Sequence, residues 1–151
     1  MPEWNLTGSR MFSHAAKFID AYHNVLQPLC RETGLPPMAM DILLFVANNP
    51  DRNTASDICQ CRGLKPGIVS VHVDRLVNEG LLVRAEAAND RRKTRLACTE
   101  KAQSVVAEGR KLQKAFANKL SDGINESDME SFRRTLIRFG ENLEDILRHG
   151  L

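Results

Sequence analysis

The chain has 151 residues, 26% charged and 42% hydrophobic, with a formal net charge of only +2. That length suits one domain able to bury about two-thirds of its unfolded surface, and the near balance of charge excludes a polycation. Any nucleic-acid footprint must therefore come from local clustering of charge. The longest unbroken apolar run, Ile42 to Ala47, is far short of a membrane span, and "MPEWNLTGSR" has no apolar signal region. The expectation is a soluble, cytoplasmic protein without a membrane partner.

From Ser9 to Arg31, apolar residues fall at Phe12, Ala15, Ala16, Ile19, Tyr22, Val25, Leu26 and Leu29. Their three-four spacing predicts a helix, which "TGLPP" ends. A second helix spans Met38 to Asn48. A third begins at Thr54, whose Thr-x-x-Asp spacing suits an N-cap, and stops at Gly63. Pro66 opens a fourth, which ends at Gly80. "LLVRAE" and "TRLACT" read as two short strands joined by a basic tip that carries Arg91, Arg92 and Lys93. A helix follows from Glu100 to about Leu120. After "SDGINE" the last helix opens at Ser127, where Ser127 and Glu130 have capping-box spacing. Its apolar stripe is Met129, Phe132, Leu136, Phe139, Leu143, Ile146 and Leu147.

Helix-turn-helix followed directly by a hairpin is a winged helix. The expected fold class is mainly α (α+β). A winged helix-turn-helix lobe with a two-stranded wing occupies residues 34–99 of a single domain, and helices at 9–33 and 100–148 flank it. The basic tip then has a mechanical use. With the fourth helix in the major groove, the wing arginines reach the adjacent minor groove, whose narrow form concentrates negative potential. Phosphates relieve the repulsion among clustered cations through counterion release.

By angle, Val69, Val73 and Leu76 of the fourth helix face the core, while Gly67, Val71, Asp74 and Asn78 lie opposite, with Ile68 and Arg75 towards one edge. Ile68 and Val71 are suited to thymine methyl groups. Gly67 lets the helix N-terminus approach a phosphate. The expected DNA-binding residues are Lys65, Gly67, Ile68, Ser70, Val71, Arg75, Asp90, Arg91, Arg92 and Lys93.

Other chemistries find little support. The cysteines, Cys30, Cys59, Cys61 and Cys98, show no zinc-ligand spacing, since Cys59 and Cys61 are roughly 200° apart on a helix. Neither a metal nor another cofactor is expected. The glycines form no phosphate-cradling loop, and no Ser or Cys sits in a catalytic motif, so the chain is not expected to be an enzyme.

The stretch from Asp57 to Ala102 resembles the MarR family of transcriptional regulators. "VDRLVNEGLL" is similar to that family's recognition-helix exit, and "DRR" with its later Thr is similar to its wing signature. Cys98 stands where the family prefers Leu, and Ala102 where it prefers Gly. Members often carry an arginine near the Val71 position, a contact absent here. The resemblance implies a homodimer whose first and last two helices intertwine with a partner's. Such a dimer reads a pseudo-palindromic operator with half-sites about one helical turn apart, acts as a repressor, and is released by a small-molecule effector. It also implies that Asp90 helps hold a wing arginine and that a small aromatic effector binds between dimerisation helices and lobe. His14, Phe18, Met38 and Met40 are the expected effector contacts, suited to an aromatic carboxylate. A cysteine-based redox-sensing regulator of the same fold, or a nonspecific architectural DNA-binding protein, are the alternatives.

Overall fold

The computed structural model describes residues 8–87 and 90–151, with the backbone alone at 87 and 90–93. In chain order the elements are α1 (Gly8–Thr33), α2 (Pro37–Asn48), α3 (Ala55–Arg62), α4 (Pro66–Asn78), β1 (Leu82–Ala87), β2 (Asp90–Cys98), a 3-10 turn (Glu100–Ala102), α5 (Gln103–Leu120) and α6 (Glu126–His149). Two compact units divide after Phe116, so that most of α5 belongs to the first.

Helix α2 is the axis of the first unit. Every residue from Ala39 to Val46 is buried, and all of them are apolar except Asp41. Leu26 and Leu29 from α1, Ile58 from α3, Val69, Val73 and Leu76 from α4, and Val106 from α5 complete the core with it. The close packing of α5 depends on Gly109, where an added Cβ would overlap the Leu44 side chain.

Thr54 caps α3 through a full capping box. Its hydroxyl accepts from the Asp57 N–H at 3.1 Å, and its own N–H donates to Asp57 Oδ2 at 3.1 Å. Gly63 ends the helix with φ at +63°, a left-handed conformation that glycine adopts without a Cβ penalty. Pro66 then begins α4, as its fixed φ and missing N–H favour.

The strands pair antiparallel, with Leu82 opposite Cys98 and Arg84 opposite Leu96. Leu82 and Leu96 face inward and are buried. The loop before α3 extends the sheet: Leu96 N–H donates to the Asn53 carbonyl at 2.9 Å, and Thr54 bridges Arg95. Strand β2 starts at Asp90, so the backbone of Arg91, Arg92 and Lys93 is strand rather than the connecting tip expected from sequence. The regular ladder nevertheless ends at Glu86 opposite Thr94; the register then shifts and Ala87 pairs with Asp90, so residues 91–93 fall within the irregularity.

In the second unit, α6 is capped by Asn125 rather than by Ser127. The Asn125 side chain accepts from the Asp128 N–H at 2.8 Å and donates to Asp128 Oδ2 at 2.8 Å. Asn-x-x-Asp reproduces the capping geometry two residues earlier, and Asn ranks at least as high as Ser at this position. No residue of α6 is buried. Phe132, Leu136, Leu143 and Leu147 are all more than half exposed.

Candidate nucleic-acid interface

Helix α4 is fixed through its buried side, so its opposite side is presented as a rigid surface. Val69, Val73 and Leu76 are at most 3% exposed, whereas Ile68 is 46% and Val71 66% exposed. Lys65, Gly67 and Ser70 share that exposure. The structure thus brings five of the expected DNA-contact residues onto one outward face at the start of the helix. Two amides of the first turn, those of Ile68 and Val69, already donate to the Lys65 carbonyl at 3.1 and 3.2 Å. The Val69 bond is the regular first bond of the helix, so only the Ile68 amide is withdrawn from the first-turn donors, and Pro66 has no N–H to add.

Arg75 departs from the expected set. Its Nε donates to Glu79 Oε1 at 3.0 Å, and its Nη2 donates to the Gly34 carbonyl at 2.6 Å. The guanidinium is drawn back to the α1–α2 connection and ties the helix to it. His72 is half-buried beside it, and burial, helped by the Arg75 charge, pushes its pKa below the usual histidine value. On the outward face, Asp74 forms an ion pair with Arg84 of β1. Helical spacing placed Asp74 on that face and gave no sign of its partner. The side chains of Asp90, Arg91, Arg92 and Lys93 lie outside the described residues.

A crevice of about 520 Å³ lies in the first unit, among α1, α2, α3 and α5. Phe18, Tyr22 and Phe116 form its aromatic wall, with ring centroids of 5.4 Å for Phe18–Phe116 and 5.5 Å for Tyr22–Phe116. Met38 also lines it. Of the four expected effector contacts, only Phe18 and Met38 meet there. Met40 is fully buried in the core, where α2 turns it away, and His14 is exposed outside the lining.

The polar groups of the crevice form a relay across helices. Arg110 Nε donates to Asn48 Oδ1 at 3.0 Å, Asn48 Nδ2 to Gln113 Oε1 at 2.9 Å, and Gln113 Nε2 to the Tyr22 hydroxyl at 2.8 Å. Burial raises the Tyr22 pKa against the opposing effect of the Gln113 hydrogen bond. Nearby, Arg62 grips the buried Asp41 carboxylate with bonds of 2.7 and 3.2 Å, its guanidinium 5.0 Å from the Phe45 ring centroid. Burial opposes the Arg62 charge, but the bonded Asp41 carboxylate outweighs it and holds the Arg62 pKa above its ordinary value.

Cys98 is half-buried, with its thiol 3.8 Å from the Leu43 carbonyl, and Ala102 is fully buried. Small side chains fit both places where the sequence departs from the family pattern. Burial raises the pKa of Cys30 and Cys98, with Arg31 and Arg110 respectively acting the other way. Among the described residues, no cluster of three or more His, Cys, Asp or Glu side chains is placed to hold a metal, and no helix is long and apolar enough to cross a membrane.

Residues 33–93, the winged helix with the end of α1, match the sequence model of the MarR family. Over that stretch the chain is similar to the MarR family. Solved structures share its architecture. A MarR-family regulator from Listeria monocytogenes, determined with a 26mer DNA, has 17% identity and a TM-score of 0.74, covering 93% of each chain. CouR from Rhodococcus jostii RHA1, bound to p-coumaroyl-CoA, has 22% identity and a TM-score of 0.70, with 85% of this chain and 87% of CouR covered. MarR from Oenococcus oeni PSU-1 has 17% identity and a TM-score of 0.67, with 89% of this chain and 98% of that one covered. At these identities the likeness establishes the fold alone.

Proposed function

We propose that this chain is a sequence-specific DNA-binding transcriptional regulator, a repressor acting as a homodimer on a pseudo-palindromic operator. The observation that carries the reading is the outward face of α4, set rigidly by its buried side and followed at once by a hairpin with a basic arm. Lys65, Gly67 and Ser70 approach the backbone, Ile68 and Val71 meet thymine methyls in the major groove, and Arg91, Arg92 and Lys93 approach the minor groove or phosphates. Asp90 steadies the wing arginines.

Dimerisation rests on apolar surface that the monomer leaves in water. Phe12 and Ile19 on α1, and Phe132, Leu136, Leu143 and Leu147 on α6, are each more than half exposed. Burying one such side chain is worth about 1.5–3 kcal/mol, so a second copy covering these helices gains substantially. The crevice walled by Phe18, Tyr22 and Phe116 is the place for a small aromatic effector. With Arg62 already paired with Asp41 and His14 elsewhere, His23 is the lining residue left to meet the carboxylate of such an effector.

Fluorescence anisotropy with a selected operator and a scrambled duplex tests the regulator reading. Specific binding should exceed scrambled by about 10³ or more and weaken linearly in log–log salt plots. Equal affinity for both duplexes would show an architectural protein, and no affinity for either would reject DNA binding. Sedimentation of the intact chain as a soluble monomer at micromolar concentration would reject the dimer.

A further inference from the structure

Asp74 is an oddity on a surface that faces a polyanion. It lies one turn beyond Ser70 and Val71 and two turns beyond Gly67, in the middle of the outward face of α4. A bare carboxylate there would repel phosphates. Its oxygen Oδ1 instead accepts a hydrogen bond from Nη2 of Arg84, which reaches across from β1, the first strand of the wing. Both side chains remain open to solvent, at 57% for Asp74 and 43% for Arg84. The pair is therefore neutral as a unit and accessible to an incoming anion.

The geometry points to Asp74 as an internal surrogate for phosphate, which occupies Arg84 and restrains the indiscriminate affinity of the lobe for DNA backbone. The inference rests on the DNA-binding reading above. Its physical basis is competition. A guanidinium binds carboxylate and phosphate with the same fork of donors, so a carboxylate already on Arg84 must be displaced before a phosphate can take its place. An exposed ion pair exchanges partners readily, so the restraint is a tax on phosphate binding rather than a block. Random DNA, which offers α4 few favourable base edges, depends on such phosphate contacts for almost all its affinity. A regulator with a net charge of only +2 that also masks one of its arginines is built to depend on the reading helix and wing.

The experiment compares the full-length parent with Asp74→Asn, Arg84→Gln and the double variant on a random-sequence duplex, by anisotropy across a salt series. Asparagine keeps the size of Asp74 and removes its charge, and thermal unfolding by circular dichroism verifies that each variant is folded. The expected result is tighter binding by Asp74→Asn, with the log–log salt slope steeper by about 0.9 per lobe, the signature of one added phosphate contact. That slope makes the gain about 3.5-fold larger per lobe at 50 mM than at 200 mM salt. The double variant should lose the steeper slope, because Arg84 supplies it. Unchanged or weaker binding by Asp74→Asn, or a steeper slope retained in the double variant, overturns the inference while leaving the regulator reading intact. Failure of the parent and all variants to bind any duplex overturns both.

Discussion

Replacing Arg62 by leucine tests how α3, and with it α4, is held. The partner left behind is Asp41, a residue only 3% exposed at the crevice wall beside Tyr22. Removing one member of a fully buried ion pair costs about 3–5 kcal/mol, mostly from the stranded charge. The Arg62 side chain is 36% exposed, so solvent screens the pair and the lower figure is the better guide. With the stacking on Phe45 also lost, the expected destabilisation is about 2–3 kcal/mol. For a chain of this size that lowers Tm by about 4–12 °C. Urea unfolding followed by circular dichroism at pH 7 measures it. The paired change Asp41→Leu/Arg62→Leu should recover most of the loss, since apolar replacement of both partners is often neutral or better. A loss below about 0.5 kcal/mol for Arg62→Leu, the value of an ordinary surface pair, would refute the reasoning. So would a double variant no more stable than the single one.

Three further outcomes follow from particular residues. Gly109→Ala should destabilise by about 1–3 kcal/mol in the same assay, because its Cβ overlaps the Leu44 side chain, and Gly109→Ala/Leu44→Ala should regain part of that loss. Arg91→Ala/Arg92→Ala should weaken operator binding about tenfold or more with an unchanged circular dichroism spectrum, and Asp90→Ala should do so more mildly; parental affinity in the double variant would remove the wing from the interface. His72 has a folded pKa below its ordinary value of 6.5, so the unfolded chain takes up the proton first as pH falls. Its contribution is intact above that value and is lost on acidification below it, so His72→Gln should flatten the fall in stability between about pH 7 and 5.5; equal slopes in both proteins would dismiss it.

Regular elements were legible because local rules set them. Val69, Val73 and Leu76 are four and three residues apart, and their burial follows from helical period alone. Thr54 with Asp57, Gly63 and Pro66 punctuate the helix-turn-helix with residues whose backbone preferences leave little choice. Where the reading slipped, two local solutions were close in energy. Asn125-x-x-Asp128 and Ser127-x-x-Glu130 are both plausible helix starts, and the stronger cap prevailed. The regular ladder joins 82–86 to 94–98, the two strands read from sequence; what charge and spacing did not show is the register shift beyond Glu86 and the further Ala87–Asp90 pair.

The candidate site was legible only as far as Cβ directions carry. An angular reading places Arg75 and Asp74 at the outward side of α4 but says nothing about the several ångströms of flexible chain beyond the Cβ. Arg75 spends that reach on the Gly34 carbonyl, 41 residues away in sequence, and Arg84 spends its own on Asp74. Such choices depend on which acceptors tertiary packing delivers, so no spacing rule contains them. The same holds for Met38 and Met40. They are two residues apart on one helix, roughly 200° around its axis, and only the packing of α1 and α3 decides that Met38 opens to the crevice while Met40 closes the core. Short, rigid side chains carry their destination in the sequence, whereas long polar ones acquire it from the fold. On α4 the short side chains of Gly67, Ile68, Ser70 and Val71 lie on the face that helical spacing assigns them, whereas the long side chain of Arg75 folds back to Gly34.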